Sequence, residues 1–315
     1  MLVVVKIFAL PAFVVLALPA VNHANFVPMI PNGWGTPLSG VGVLGAAASI
    51  FFAYVGFDAV STAAEETKNP NRNIPIGLIG SLAICTVFYL LVAYAAVGAM
   101  GAQPGGPLSQ SKEPLAFVLR QIGYPGIGNA VAIAAIVALP SVVLMMIFGQ
   151  TRILFTMARD GLLPEKLSRV HPRFHTPHVV TWITGVAVSL FAAMFPVGML
   201  ADISNSGTLF AFFMVAAGVM VLRKTEPGRH RPFRTPFVWV VGPLAMAGCV
   251  LLFLSLGWNP TIKYFLIWAA IGLGVYFVYA RRRSHLAPGN EQLLHGYAPA
   301  LPPDPLVHEG PATGP

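Results

Sequence analysis

The chain has 315 residues, 56% of them hydrophobic and 10% charged, with a mean hydropathy of +0.73, against about 45–50% apolar and about 25% charged in ordinary soluble domains. Its apolar residues fall in long runs, several reaching the roughly 20 residues that cross a bilayer, so a soluble globular enzyme is excluded and an all-α integral membrane protein is expected. Lys and Arg number 19 against 11 Asp and Glu, a formal charge of +8, but the cations sit between apolar runs, where membrane topology explains them without a nucleic-acid partner.

Reading apolar runs against turn residues and charges predicts eight spans: 2–22, 39–64, 74–99, 127–158, 177–196, 203–223, 236–256 and 261–281. The first carries a lone Lys6 and shows no clear cleavage site, so it reads as a span bent at Pro11 or Pro19 rather than as a signal peptide. The second, "SIFFAYVGFDAVSTAAEETKNPNRNIP", places aromatic residues, Gly56 and Asp58 near the middle of a crossing segment. A charge there costs roughly 2.5–3.5 kcal/mol on insertion scales, so it marks a function or a local partner. If Gly56 breaks the helix, Asp58 is placed to cap the half-helix that follows, and carbonyls freed around Phe52 to Val55 would face a cavity and attract an ammonium group. An intact helix with Asp58 bonded to a neighbour is the competing reading.

The connection 100–126 is rich in Gly and Pro, yet "EPLAFVLRQIG" within it has helical periodicity and predicts a short external helix over the bundle. From 284 onward Pro, Gly and polar residues dominate, which predicts a disordered cytoplasmic tail at 284–315 beyond a transmembrane region at 1–283. The segments after the even-numbered spans carry Lys68 and Arg72; Arg152, Arg159, Lys166, Arg169 and Arg173; Arg223, Lys224, Arg229, Arg231 and Arg234; and Arg281, Arg282 and Arg283. The alternate connections carry only Lys112, Arg120 and Lys263. That asymmetry puts both termini of a multi-pass protein in the cytoplasm.

Four other patterns have plain structural readings. Gly40, Gly42 and Gly45 spell GxGxxG, but no strand precedes them and a span follows, so they read as small residues that let helices approach closely. His171, His175 and His178 share no helical face and are interrupted by prolines and Arg173, so they read as a cytoplasmic loop and no metal site is assigned. Cys85 and Cys249, in separate apolar runs, read as small core residues, and Glu65 and Glu66 near Lys68 and Arg72 as an ion-pair cluster. With no paired base and nucleophile in the spans, no enzyme and no cofactor are expected.

"FFAYVGFDAVSTAAEE" followed by "KNPNRNIPIG" resembles the sixth helix and following loop of the amino acid permeases, nearest the cationic amino acid transporter branch of the amino acid–polyamine–organocation superfamily. "GQTRILFTMARDGLLPEKLSRVHPRFHTPH" is similar to the end of that family's eighth helix and its loop, and "RPFRTPF" to the entry of the eleventh. The resemblance implies helices five to twelve of a twelve-helix fold built on two inverted five-helix repeats, with the broken helix at 39–64. It also implies secondary transport of an amino acid across the cytoplasmic membrane, proton-coupled and by alternating access. The non-protein partners are then the amino acid, protons and the lipid bilayer.

In the family the first and sixth helices are both unwound and hold the substrate together. Carried onto this chain, Phe52, Ala53, Val55 and Gly56 become the main-chain part of the substrate site, Phe57 a pocket or gate residue, and Asp58 part of the break. Lys6, which alone would read as an interfacial lysine, matches a lysine in the family's fifth helix that serves proton coupling. Its hydroxyl partner matches Ser141, although Pro140 departs from the family pattern. A chain without the first four helices has a second reading, a non-transporting membrane remnant or scaffold.

Overall fold

The computed structural model describes residues 2–57, 67–173, 176–228, 231 and 233–284, apart from the side chains of 2–6, 260 and 282. Asp58, Glu65, Glu66, His175 and the 285–315 tail lie outside the described residues. All regular structure in the described part is helical. The principal helices are α1 (Leu2–Ala17), α2 (Gly42–Ile50), α3 (Pro70–Met100), α4 (Pro114–Gln121), α5 (Pro125–Arg159), α6 (His178–Met194), α7 (Val197–Thr225), α8 (Val238–Ser255) and α9 (Lys263–Val275).

Each of the eight predicted spans overlaps one of these helices, and α3, α5 and α7 run beyond theirs. Five are long and apolar enough to cross a membrane: α3 with 31 residues, α5 with 35, α7 with 29, α8 with 18, and Lys263–Ala280, where α9 runs on through a π turn. Their apolar windows lie almost wholly on the surface, as expected of faces made for hydrocarbon rather than water. α1 stays helical through Pro11, and its α form ends at Ala17, just before Pro19 in a 3-10 turn. α7 begins at Val197 rather than 203, because Pro196 opens it and the polar run Asp202 to Ser206, which depresses hydropathy, is absorbed by hydrogen bonds.

Two compact units make up the chain: Met1–Gln150 with Thr184–Trp268, and Thr151–Ile183 with Ala269–Pro315. The first holds two apolar clusters. In one, Phe13, Val14 and Ala17 of α1 meet Ala95 and Ala96 of α3 and Val118 and Leu119 of α4, so the short amphipathic helix expected in the 100–126 connection packs its apolar face on the bundle. Gly101 closes α3 with φ of +73° and its N–H on the Val97 carbonyl, 2.7 Å away. In the other cluster Ala48 of α2, Leu209 of α7 and Leu256 are buried together, with Phe51, Cys249, Leu252 and Phe253 against them.

The GxGxxG glycines serve a loop rather than a helix pair. Gly40 and Gly42 have φ of +67° and +76°, and an added Cβ at Gly42 would lie 2.8 Å from the Gly33 carbonyl oxygen. The loop they shape reaches the end of α8, where the Leu38 N–H donates to the Leu254 carbonyl (2.7 Å) and the Trp258 N–H to the Leu38 carbonyl (3.3 Å). The Leu254 carbonyl, in the last turn of α8, thus finds a backbone partner. At the other end of α7, Arg231 donates to the carbonyls of Leu222 (3.0 Å) and Glu226 (2.7 Å).

In the second unit α5 ends at Arg159. The rings of His171 and His178 meet edge to face at 5.2 Å, while the His171 Nδ1 accepts from the Arg173 N–H at 3.1 Å. Arg283 stacks over the Tyr279 ring at 5.1 Å, a contact that suits the basic end of an apolar helix.

Candidate functional site

α2 gives up its α form halfway along its apolar run. The Phe51 N–H still donates to the Ala47 carbonyl, but Phe51–Tyr54 is a 3-10 turn and the Val55 N–H reaches only to the Phe52 carbonyl, 3.1 Å away. Val55 then leaves the helix with ψ of 130°, and Gly56 has φ of +123°. Only glycine takes that conformation without strain. It also has little room for a side chain, since a Cβ on Gly56 would lie 3.1 Å from the Met146 methyl carbon of α5.

Side chains from two other helices hold the broken segment. The Tyr89 hydroxyl of α3 donates to the Ala53 carbonyl at 2.8 Å, and its ring meets Tyr54 edge to face at 5.3 Å. From α7, the Asn205 amide donates to the carbonyls of Ala48 and Ser49, at 3.1 Å each. Asp202, one turn earlier, accepts from the Ser49 hydroxyl at 3.0 Å. Phe212 of α7 packs on both sides of the turn, 6.1 Å from Phe51 and 5.3 Å from Phe57 between ring centroids. The arrangement offers main-chain oxygens beside aromatic rings, a setting suited to an ammonium group attached to an apolar body.

Phe52, Ala53, Val55, Gly56 and Phe57 are therefore contiguous in this turn, with Phe52 and Ala53 exposed and the other three half-buried. Asp58, expected to cap the following half-helix, lies outside the described residues. Lys6 falls within α1, and its side chain lies outside the described part. The Ser141 hydroxyl donates to the Ala138 carbonyl of its own helix at 2.7 Å, a back-bond beside Pro140.

Sequence reasoning missed Tyr89, Asn205, Asp202 and Phe212. Asp202 and Asn205 did carry a signal, an acidic and an amide side chain three residues apart at the edge of an apolar run. Tyr89 carried none, being one aromatic residue in an apolar helix.

A family model described as amino acid permease matches residues 1–276. The chain is 41% identical over 285 residues to the branched-chain amino acid permease BcaP of Bacillus subtilis (strain 168), covering 90% of this chain and 59% of that protein. It is 40% identical over 285 residues, with the same coverage of 90% and 59%, to the methylthioribose transporter of that strain. With the cationic amino acid transporter 3, mitochondrial, of Arabidopsis thaliana it shares 36% over 203 residues, 64% of this chain and 32% of the plant protein. The chain thus spans about three-fifths of the length of the two Bacillus relatives.

Proposed function

We propose, from the premise that this chain belongs to the amino acid permease family, that it takes part in secondary transport of an amino acid across the cytoplasmic membrane. The observation that carries the reading is the break in α2. An apolar helix gives up its regular hydrogen bonds at Phe51–Tyr54, and side chains of α3 and α7 donate to carbonyls in the turn and just before it. In lipid, backbone without regular partners is tolerated where it lines a cavity, and transporters place substrates at such breaks.

The substrate ammonium sits on the main-chain oxygens of the turn, with Phe52, Ala53, Val55 and Gly56 as its backbone ligands and Phe57 closing the pocket. The relatives' names span branched-chain amino acids, methylthioribose and cationic amino acids, so the side-chain preference has to come from the pocket itself. Phe51, Phe57, Phe212 and Met146 surround the turn, and these apolar walls favour a branched aliphatic side chain. Transport is proton-linked through Lys6, with Ser141 as its hydroxyl partner, and proceeds by alternating access around the break.

Uptake of labelled L-isoleucine into vesicles carrying the full-length gene product, with L-arginine and methylthioribose as competitors, tests the substrate assignment. Accumulation of L-isoleucine, blocked by leucine and valine and not by arginine, is the expected result; absence of any amino acid uptake overturns it. Lys6→Ala and Lys6→Arg test the coupling. Both abolish uptake driven by a proton gradient while L-isoleucine binding persists, because arginine stays charged. An interfacial lysine would instead leave both variants near wild-type rate.

A further inference from the structure

We infer that Asn205 is the positioning residue of the broken helix, the group that fixes where α2 changes from α to 3-10 form. The proposal rests on the transport reading only for its effect on substrate; the structural claim stands by itself.

Within α2 each carbonyl accepts from the N–H four residues on, and in the 3-10 turn from the N–H three residues on. The Phe51 N–H reaches the carbonyls of Ala47 and Ser49, while the Val55 N–H reaches that of Phe52. The step therefore shortens between these two bonds, and a carbonyl at the junction is passed over. Ala48 and Ser49 occupy that junction, and these are the two carbonyls to which the Asn205 amide donates, at 3.1 Å each.

Asn205 is fully buried, at 0% exposure. It stands beside Leu209, one helical turn along α7, which seals the apolar cluster against Ala48. Its Oδ1 is buried and accepts no hydrogen bond from the described residues, so the side chain is held in place by its two donors. Water cannot serve the Ala48 carbonyl at a site this enclosed, because Ala48 is also at 0% exposure, whereas Ser49 is exposed. Removing the amide leaves the buried Ala48 carbonyl short of a donor, and the cheapest repair is for α2 to extend its regular ladder past Ile50. That repair moves the turn and misplaces the main-chain ligands at Phe52 and Ala53.

Asn205→Leu preserves side-chain size and removes both donors; Asn205→Ala repeats the comparison if the leucine variant fails to fold. Hydrogen–deuterium exchange of the full-length protein in nanodiscs should change for peptides covering residues 47–57, by about tenfold, with peptides of α3 and α8 unaltered. In uptake assays with L-isoleucine, KM should rise about tenfold while Vmax per folded transporter stays within about twofold, because the ligands are displaced and not removed. Unchanged exchange at 47–57, or a uniform change across all helices, overturns the proposal. If the unsubstituted protein takes up no L-isoleucine, the transport reading fails and the exchange result alone decides on Asn205.

Discussion

Tyr89 is the residue that most changes the expected picture of the site. Its hydroxyl occupies the Ala53 carbonyl, the oxygen that the family resemblance assigns to the substrate ammonium. A carbonyl has two lone pairs, but a hydroxyl on one of them weakens and crowds the approach to the other. Tyr89→Phe removes that competitor and retains the ring against Tyr54, so the Kd for L-isoleucine should fall, by up to about tenfold, in a direct binding titration. A weaker Kd would mean that the hydroxyl orients the turn rather than competing with substrate. Gly56 was legible in the sequence because one residue type at mid-span is enough to mark a break. Tyr89 and Asn205 were not, since their partners lie 36 and 157 or 156 positions away, and hydrophobic periodicity reports which face a residue occupies without reporting what it meets there.

The elements were legible where they are long and apolar, and misjudged where polar residues find internal partners. α7 starts at Val197 because Ser206 bonds Ile203 and Thr208 bonds Ser204 within the helix, satisfactions that a hydropathy sum counts as penalties. The glycines at 40, 42 and 45 were expected to bring helices together. They instead let a loop fold on itself and on the end of α8, where Gly40 and Gly257 approach so closely that an added Cβ on Gly257 would lie 3.3 Å from the Gly40 Cα. Gly42→Ala forces a positive φ on an L-residue and sets its Cβ against the Gly35 nitrogen at 2.5 Å. We expect a loss of about 1–3 kcal/mol, read as a lower melting temperature in detergent. Gly198→Ala, at a helical position with open space around it, should by contrast be neutral or slightly stabilising.

For the molecule as a whole, reporter fusions after residue 283 and within 100–126 should fall on opposite sides of the membrane, the former cytoplasmic, as the distribution of Lys and Arg requires. A periplasmic signal from the fusion after 283 would reverse the topology. The 35-residue length of α5 bears on the membrane as well as on the protein. At 1.5 Å per residue it measures about 52 Å, against a hydrocarbon core of about 30 Å. Its surplus must lean over or project into the headgroups, with Arg152 and Arg159 marking the projecting end. Acyl-chain length then acts as a mechanical input to the helix that carries Met146, the neighbour of Gly56. Vesicles made from lipids of graded chain length should show an optimum in L-isoleucine uptake, with rates falling on either side as mismatch tilts α5 and shifts its methionine against the turn. A rate independent of chain length would mean that α5 is held by its protein neighbours alone.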